Sequence, residues 1–160
     1  MGKARFIPII ITVLVVVGLL VVVIHPYGSE HETPHPIPVP EGTPVRIDAE
    51  ALYVDDSGGV IESNRFDPAL VGGVEITVVG ENGDSQSLTT TEVSSTWLEM
   101  LSGHRYTIQA TFKGSTGSTQ ATIQGYSDHD VTPFGGYIKV YVRKSSDAIE
   151  GVSYNRPMFL

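Results

Sequence analysis

From Val45 onward, apolar and polar residues alternate with a period of two, which is the pattern of β-strands that bury one face. The clearest alternation runs from Tyr106 to Lys113, where every second residue is apolar. Similar stretches begin at Val45, Val74 and Ile138. These segments predict strands whose apolar residues face a common core.

Two less regular segments, 87–91 and 95–100, predict further strands, and the second should bury either Trp97 or Leu98. The Gly-Ser-Thr-Gly-Ser sequence at 114–118 predicts a hairpin with a loop of about five residues. About seven short strands are expected, joined by turns rich in Gly, Asn and Asp. The predicted fold is therefore all-β, an antiparallel β-sandwich of the immunoglobulin-like type.

The amino-terminal part of the chain differs, because Phe6 to Ile24 form an unbroken run of 19 uncharged residues. A helix of this length can cross the hydrocarbon core of a bilayer. Lys3 and Arg5 precede the run, which predicts a cytoplasmic amino terminus and an extracellular or periplasmic remainder. We expect a single-pass transmembrane helix at 6–24 that anchors the protein in the cell membrane.

A cleaved signal peptide is the alternative interpretation of the same run. Signal peptides combine a basic start with an apolar region of about 7 to 15 residues and a small-residue cleavage site. The run is longer than that, and no Ala-x-Ala sequence follows it. The uncleaved anchor is favoured, and cleavage stays open.

Residues 25–44 form a linker that holds six prolines in twenty positions. Such a segment favours the extended polyproline II conformation and acts as a semi-rigid spacer. The predicted organisation therefore has five parts: a cytoplasmic terminus at 1–5, an anchor at 6–24, a linker at 25–44, a sandwich at 45–144 and a tail at 145–160.

The chain is acidic, with 18 Asp and Glu against 10 Lys and Arg and a formal net charge of −8. This balance argues against nucleic-acid binding, which needs a basic surface. There is no cysteine, which excludes disulfides, thiol catalysis and zinc–thiolate sites. Motifs for a nucleophile elbow, a phosphate-binding loop or a cofactor are also missing from the sequence, so we expect no enzymatic activity.

We expect no cofactor, and the metal most compatible with the sequence is calcium, because several predicted loops carry acidic residues. Carboxylate oxygens are its preferred ligands, and the candidate residues are Asp55, Asp56, Asp84, Asp128 and Asp130. No EF-hand spacing is present. Asp also favours turns for conformational reasons alone, which is the alternative explanation for these positions.

The segment from Val71 to Gly114 carries motifs of known β-sandwich families. These are a Gly-Val-x-Ile-x-Val strand, a threonine-rich strand and a Leu-x-Gly-x-x-Tyr-x-Ile-x-Ala stretch, at Gly73, Val74, Ile76, Val78, Thr89 to Thr91, Leu101, Gly103, Tyr106, Ile108 and Ala110. The segment resembles carboxypeptidase regulatory-like, transthyretin-like and collagen-adhesin B-type domains. It departs from them at the turn 91–95 and by an insertion at 60–69. The resemblance implies a sandwich fold and a role in adhesion, stalk-building or carrying another unit, and it implies no catalytic residue.

The carboxy-terminal segment ends in three apolar residues, Met158, Phe159 and Leu160. They are candidates for docking on a protein partner, since aromatic and Met side chains are frequent interface anchors. The alternative is that the segment folds back on its own sandwich. Taken together, the sequence predicts a non-catalytic accessory or structural subunit of a membrane or cell-surface complex. The alternatives are a surface module that binds a carbohydrate, peptide or metal, and a subunit of an extracellular filament.

Overall fold

The structure is a computed structural model that describes residues 36–64, 67–127 and 132–157. The chain divides into two compact units, 1–34 and 35–160, and the described residues all belong to the second. The predicted anchor from Phe6 to Ile24 and the apolar residues 158–160 lie outside the described residues. Within the described ranges, no helix is long and apolar enough to cross a membrane.

The described part of the chain is all-β, as the period-two pattern predicts. Its strands are β1 (Ile37–Pro38), β2 (Pro44–Val54), β3 (Glu75–Gly80), β4 (Ser85–Thr89), β5 (Thr96–Leu101), β6 (Arg105–Phe112), β7 (Ser115–Thr122), β8 (Tyr126–Ser127), β9 (Phe134–Arg143) and β10 (Ala148–Asn155). They form a six-stranded sheet with the order β1-β8-β9-β2-β5, in which β10 also pairs with β9, and a four-stranded sheet with the order β4-β3-β6-β7.

The two sheets share one apolar core, which gives the fold a sandwich-like architecture. β6 buries every second residue, from Tyr106 to Phe112, and β3 buries Ile76 and Val78. Those side chains cluster with residues of the six-stranded sheet, including the fully buried Ile47 and Val140. Burying apolar surface contributes about 25 cal/mol of stabilising free energy for each Å², and this is the main stabilising contribution of such a core.

One strand pair contradicts the prediction of a purely antiparallel sandwich. β2 and β9 run parallel, with Asp48 opposite Tyr137 and Val54 opposite Arg143. These strands are distant in the sequence, so no hairpin forces them to be antiparallel. Alternation of apolar residues records which face of a strand is buried and carries no information about strand direction.

The sandwich extends past Lys144, the boundary that the sequence pattern suggests. β10 lies within the predicted tail and pairs with β9 from Arg143 back to Tyr137. An irregularity between Ile149 and Gly151 shifts the register, and such a bulge interrupts the period-two pattern that identifies a strand. Segment 148–155 therefore folds back on its own sandwich.

The β6–β7 connection is shorter than the predicted five-residue loop. Phe112 pairs directly with Ser115, so only Lys113 and Gly114 form the turn. Both have positive φ angles, 47° and 84°, as a type I′ hairpin turn requires. The serines and threonines that suggested a loop belong to β7.

Hydrogen bonds join the sheets where their edges approach each other. On one side, the Gln86 amide of β4 donates to the Glu99 carbonyl of β5 at 2.7 Å. On the other, the Ile149 amide of β10 donates to the Ser115 hydroxyl of β7 at 2.9 Å. Each bond satisfies one main-chain group of an edge strand, which is one way in which proteins protect sheet edges.

Candidate functional site

The carboxylate of Asp55, one of the calcium candidates, forms its hydrogen bonds within its own turn. Its Oδ1 atom accepts hydrogen bonds from the Ser57 amide at 2.8 Å, the Ser57 hydroxyl at 2.6 Å and the Gly59 amide at 2.9 Å. The Ser57 hydroxyl and these backbone amides stabilise the carboxylate and hold the pKa of Asp55 below its usual value. The turn-forming role of Asp accounts for this position.

The two other described calcium candidates, Asp56 and Asp84, bond to other partners. Asp56 accepts a hydrogen bond from the Ser145 hydroxyl at 2.6 Å, whereas Asp84 accepts one from the Asn82 amide group at 2.5 Å in the β3–β4 turn. Asp128 and Asp130 lie outside the described residues. Among the residues that the structure does describe, no three His, Asp or Glu side chains are grouped so that they could hold a metal ion.

The most distinctive surface is the outer face of the six-stranded sheet. Trp97 of β5 and Tyr137 of β9 both lie opposite Asp48 of β2, so the three residues form one row across three strands. Directly opposed residues project from the same side of a sheet. Trp97 is 60% exposed and Tyr137 is 41% exposed. We call the surface made by Arg46, Asp48, Trp97, Phe134 and Tyr137 the aromatic face.

Arg46 supports the indole of Trp97. Its guanidinium lies 5.8 Å from the centre of the indole ring, within the range of a cation–π interaction. The Asp48 carboxylate in turn holds the Arg46 side chain through a 2.6 Å contact between Oδ1 and Nε. Asp48 therefore holds the Arg46 side chain in place, and Arg46 restricts the motion of the Trp97 indole. Most of the indole surface stays accessible.

Phe134 supports the other exposed ring. The rings of Phe134 and Tyr137 pack edge to face, with centres 5.0 Å apart and an angle of 74° between their planes. Such aromatic pairs contribute roughly 0.5–1.5 kcal/mol beyond the burial of their surface. Both exposed rings of the row are therefore held by a neighbour, and a partner that binds them loses little side-chain entropy.

Charges next to the aromatic face are largely compensated. The Lys139 ammonium of β9 lies 3.2 Å from the Glu50 carboxylate of β2, and Arg143 forms an ion pair with Glu150. Exposed pairs of this kind add about 0–1 kcal/mol each to stability. Their main effect is to leave the sheet face without an excess of positive charge.

A second surface feature is a broad, open groove of about 820 Å³ beside the insertion at 60–69. Its walls include four carboxylates and the Lys144 ammonium, together with the exposed Val93. The carboxylates are those of Glu50, Glu62, Asp67 and Glu92. The groove is therefore acidic, and its described lining brings together no set of metal ligands.

The predicted strand 95–100 left open whether Trp97 or Leu98 is buried. The structure buries Leu98 and exposes Trp97. Alternation along β5 identifies the buried residue, because Leu98 lies on the same face as Met100 whereas Trp97 lies on the same face as Glu99. The large apolar indole of Trp97 points to the opposite assignment, since Trp is highly buried on average.

No protein-family model, curated protein or solved structure matches this chain.

Proposed function

We propose that this chain is a membrane-anchored, non-catalytic β-sandwich that acts as an accessory or structural subunit of a membrane or cell-surface complex. The observation that supports it most is the aromatic face, where two exposed rings are held in one row by Arg46, Asp48 and Phe134. Trp, Tyr and Arg are the residues that most often dominate binding energy at interfaces. The side chains of this face can stack on a partner and form hydrogen bonds with it, so they are suited to binding.

The anchor part of the proposal rests on the apolar run from Phe6 to Ile24 and the short proline-rich linker after it. The proline-rich segment enters the six-stranded sheet as β1, which pairs with β8, and β2, which carries Arg46 and Asp48, follows it in the chain. The anchor is therefore joined through a short segment to the sheet that carries the aromatic face.

The resemblance to carboxypeptidase regulatory-like, transthyretin-like and collagen-adhesin B-type domains supports a role in adhesion or in carrying another unit. An accessory role also fits a face that is broad and shallow, since protein complexes bury wide surfaces whereas small ligands occupy pockets.

Copurification tests the proposal. The full chain is expressed in its native membrane, extracted with a mild detergent and analysed by blue-native electrophoresis and mass spectrometry. We expect a stoichiometric partner that is lost with Trp97→Ala and retained with Val93→Ala, a matched change at a loop residue that is 88% exposed. Migration of the wild-type chain at its monomer mass, without a partner, would refute the proposal.

A further inference from the structure

We propose that the aromatic face binds a neutral, extended, β-linked glycan, with the rings of Trp97 and Tyr137 stacked on alternate sugars. This inference rests on the proposed function, because it names the chemistry that the accessory subunit recognises on its partner. Sugar rings present C–H groups with partial positive charge. These groups are attracted to the negative faces of aromatic rings.

The backbone spacing of Trp97 and Tyr137 suits such a chain. Trp97 and Tyr137 flank Asp48 on either side, so their backbones are two strand spacings apart, about 9.5 Å. In an extended β-linked glycan, successive sugars are rotated by about half a turn, and alternate sugars present the same face at nearly that interval. Two rings in one row can therefore contact one side of the chain at two points.

Hydrogen-bonding groups lie along the same row. The Asp48 carboxylate is between the two rings and can accept from sugar hydroxyls, and the Arg46 guanidinium beside it carries several donors. Asn155 extends the row on β10, opposite Tyr137, with its side-chain amide 3.1 Å from the Ser153 hydroxyl. Planar carboxylate, guanidinium and amide groups match neighbouring hydroxyls of a sugar ring.

Charge selects among glycans. The chain carries a formal net charge of −8, and the Arg46 and Lys139 cations of this sheet are paired with Asp48 and Glu50. These two cations are therefore engaged by carboxylates and attract sulfate or uronate groups weakly, and the field of the whole chain repels polyanions. A neutral glycan meets no such penalty.

Both exposed rings lie outside the three cavities of about 160, 180 and 820 Å³ that other described residues line. A row of supported rings that is open to solvent and has polar groups between the rings suits a glycan chain that stays partly hydrated.

The test uses the full chain in detergent, with cellohexaose and chitohexaose as neutral β-linked probes. Maltohexaose serves as the curved α-linked comparison and heparin as the anionic one. Binding is followed by calorimetry and by the fluorescence of Trp97, which is the only tryptophan of the chain. We expect at least one β-linked hexasaccharide to bind, and neither maltohexaose nor heparin to do so.

Single variants locate the site. Trp97→Ala and Tyr137→Ala should each weaken calorimetric binding at least tenfold, whereas Thr107→Ala on the outer face of the other sheet should leave it unchanged. Thermal unfolding of every variant checks that it is folded. Equal binding by wild type and both aromatic variants would overturn the inference, as would binding of none of the hexasaccharides or a preference for maltohexaose.

One further measurement separates this inference from the proposed function. Native membranes are treated with a cellulase and a chitinase, which hydrolyse the two kinds of β-linked glycan used as probes, before the copurification described above. If the partner is still recovered and no hexasaccharide binds, the partner is recognised through its protein surface. The glycan inference then fails while the subunit role stands. If wild type recovers no partner from untreated membranes, the subunit role fails on its own evidence.

Discussion

The amide of Leu101 donates a 2.9 Å hydrogen bond to the phenolic oxygen of Tyr106, five positions further along the chain. The bond closes the β5–β6 connection, which turns at Gly103 with a φ of 82°. In immunoglobulin-like sandwiches a tyrosine near the start of a strand bonds to the backbone a few residues upstream in the same way. The Leu-x-Gly-x-x-Tyr sequence therefore encodes a corner between the two sheets.

Replacing Tyr106 by Phe should lower the free energy of unfolding by about 1–2 kcal/mol, because the partly buried Leu101 amide loses its acceptor. Urea denaturation measures the change. Tyr137→Phe is the matched control, since it removes a hydroxyl from an exposed ring, and it should stay within about 0.5 kcal/mol of wild type. Equal effects of the two changes would contradict a structural role for the Leu101–Tyr106 bond.

Gly135 is expected to tolerate no larger side chain. A Cβ atom there would contact Ile47 Cδ1 and lie 2.8 Å from Val45 Cγ2, both in the core. We expect Gly135→Ala to destabilise the protein by about 1–3 kcal/mol through overpacking.

Gly151→Ala provides the control for Gly135. The nearest atom to its added methyl is Tyr141 Cδ2 at 3.7 Å, which is ordinary contact. This change should be neutral or slightly stabilising, because it reduces the freedom of the unfolded chain. Thermal unfolding compares the stability of the two variants. Unchanged stability of Gly135→Ala would contradict the overpacking and would show that the Val45 and Ile47 side chains rearrange around the added methyl group.

Tyr154 should make stability depend on alkaline pH. Burial raises the pKa of its hydroxyl above the usual value, and the hydroxyl donates a 2.5 Å hydrogen bond to the Gly135 carbonyl. Above about pH 10 the unfolded tyrosine loses its proton while the folded one keeps it. Its contribution is therefore complete below pH 10 and is lost as pH rises through the folded pKa.

Urea midpoints between about pH 9 and 11.5, which span the usual tyrosine pKa, test this expectation for wild type and Tyr154→Phe. Wild type should lose more stability across the range, because the variant has no ionisable group at this position. Parallel loss in the two proteins would assign the pH dependence to other groups.

Trp97 should report the exposure of the aromatic face. Its emission maximum in the folded protein should be close to that of a solvated indole, since 60% of the residue is exposed, and acrylamide should quench it efficiently. Arg46→Ala should increase quenching further by removing the guanidinium that lies over the ring. A blue-shifted, poorly quenched emission would mean that another part of the chain or a second copy covers Trp97.

Individual strands could be predicted wherever one face is buried throughout. β6 follows that pattern from Tyr106 to Phe112, β2 follows it from Val45 to Ala51, and β9 follows it from Ile138 to Val142. β10 was missed because its bulge breaks the alternation after Ile149. The β6–β7 turn was misjudged because Ser and Thr occupy the exposed positions of β7, where they look like loop residues.

The candidate site was less accessible from the sequence. Its residues belong to three strands that are distant along the chain, and each looks ordinary in its own segment. Of the described carboxylates that suggested a calcium site, Asp55 stabilises its own turn and Asp84 pairs within a tight loop, whereas Asp56 bonds to the distant Ser145.

The sequence by itself determined the all-β class, the position of most strands and the buried face of the regularly alternating strands, because those properties follow from the local alternation of side chains. Only the tertiary structure decided that β9 runs parallel to β2 and thereby places Tyr137, Asp48 and Trp97 in one row. Strand pairing depends on hydrogen bonds and packing between segments far apart in the chain. The local alternation of side chains does not predict which strand pairs with which.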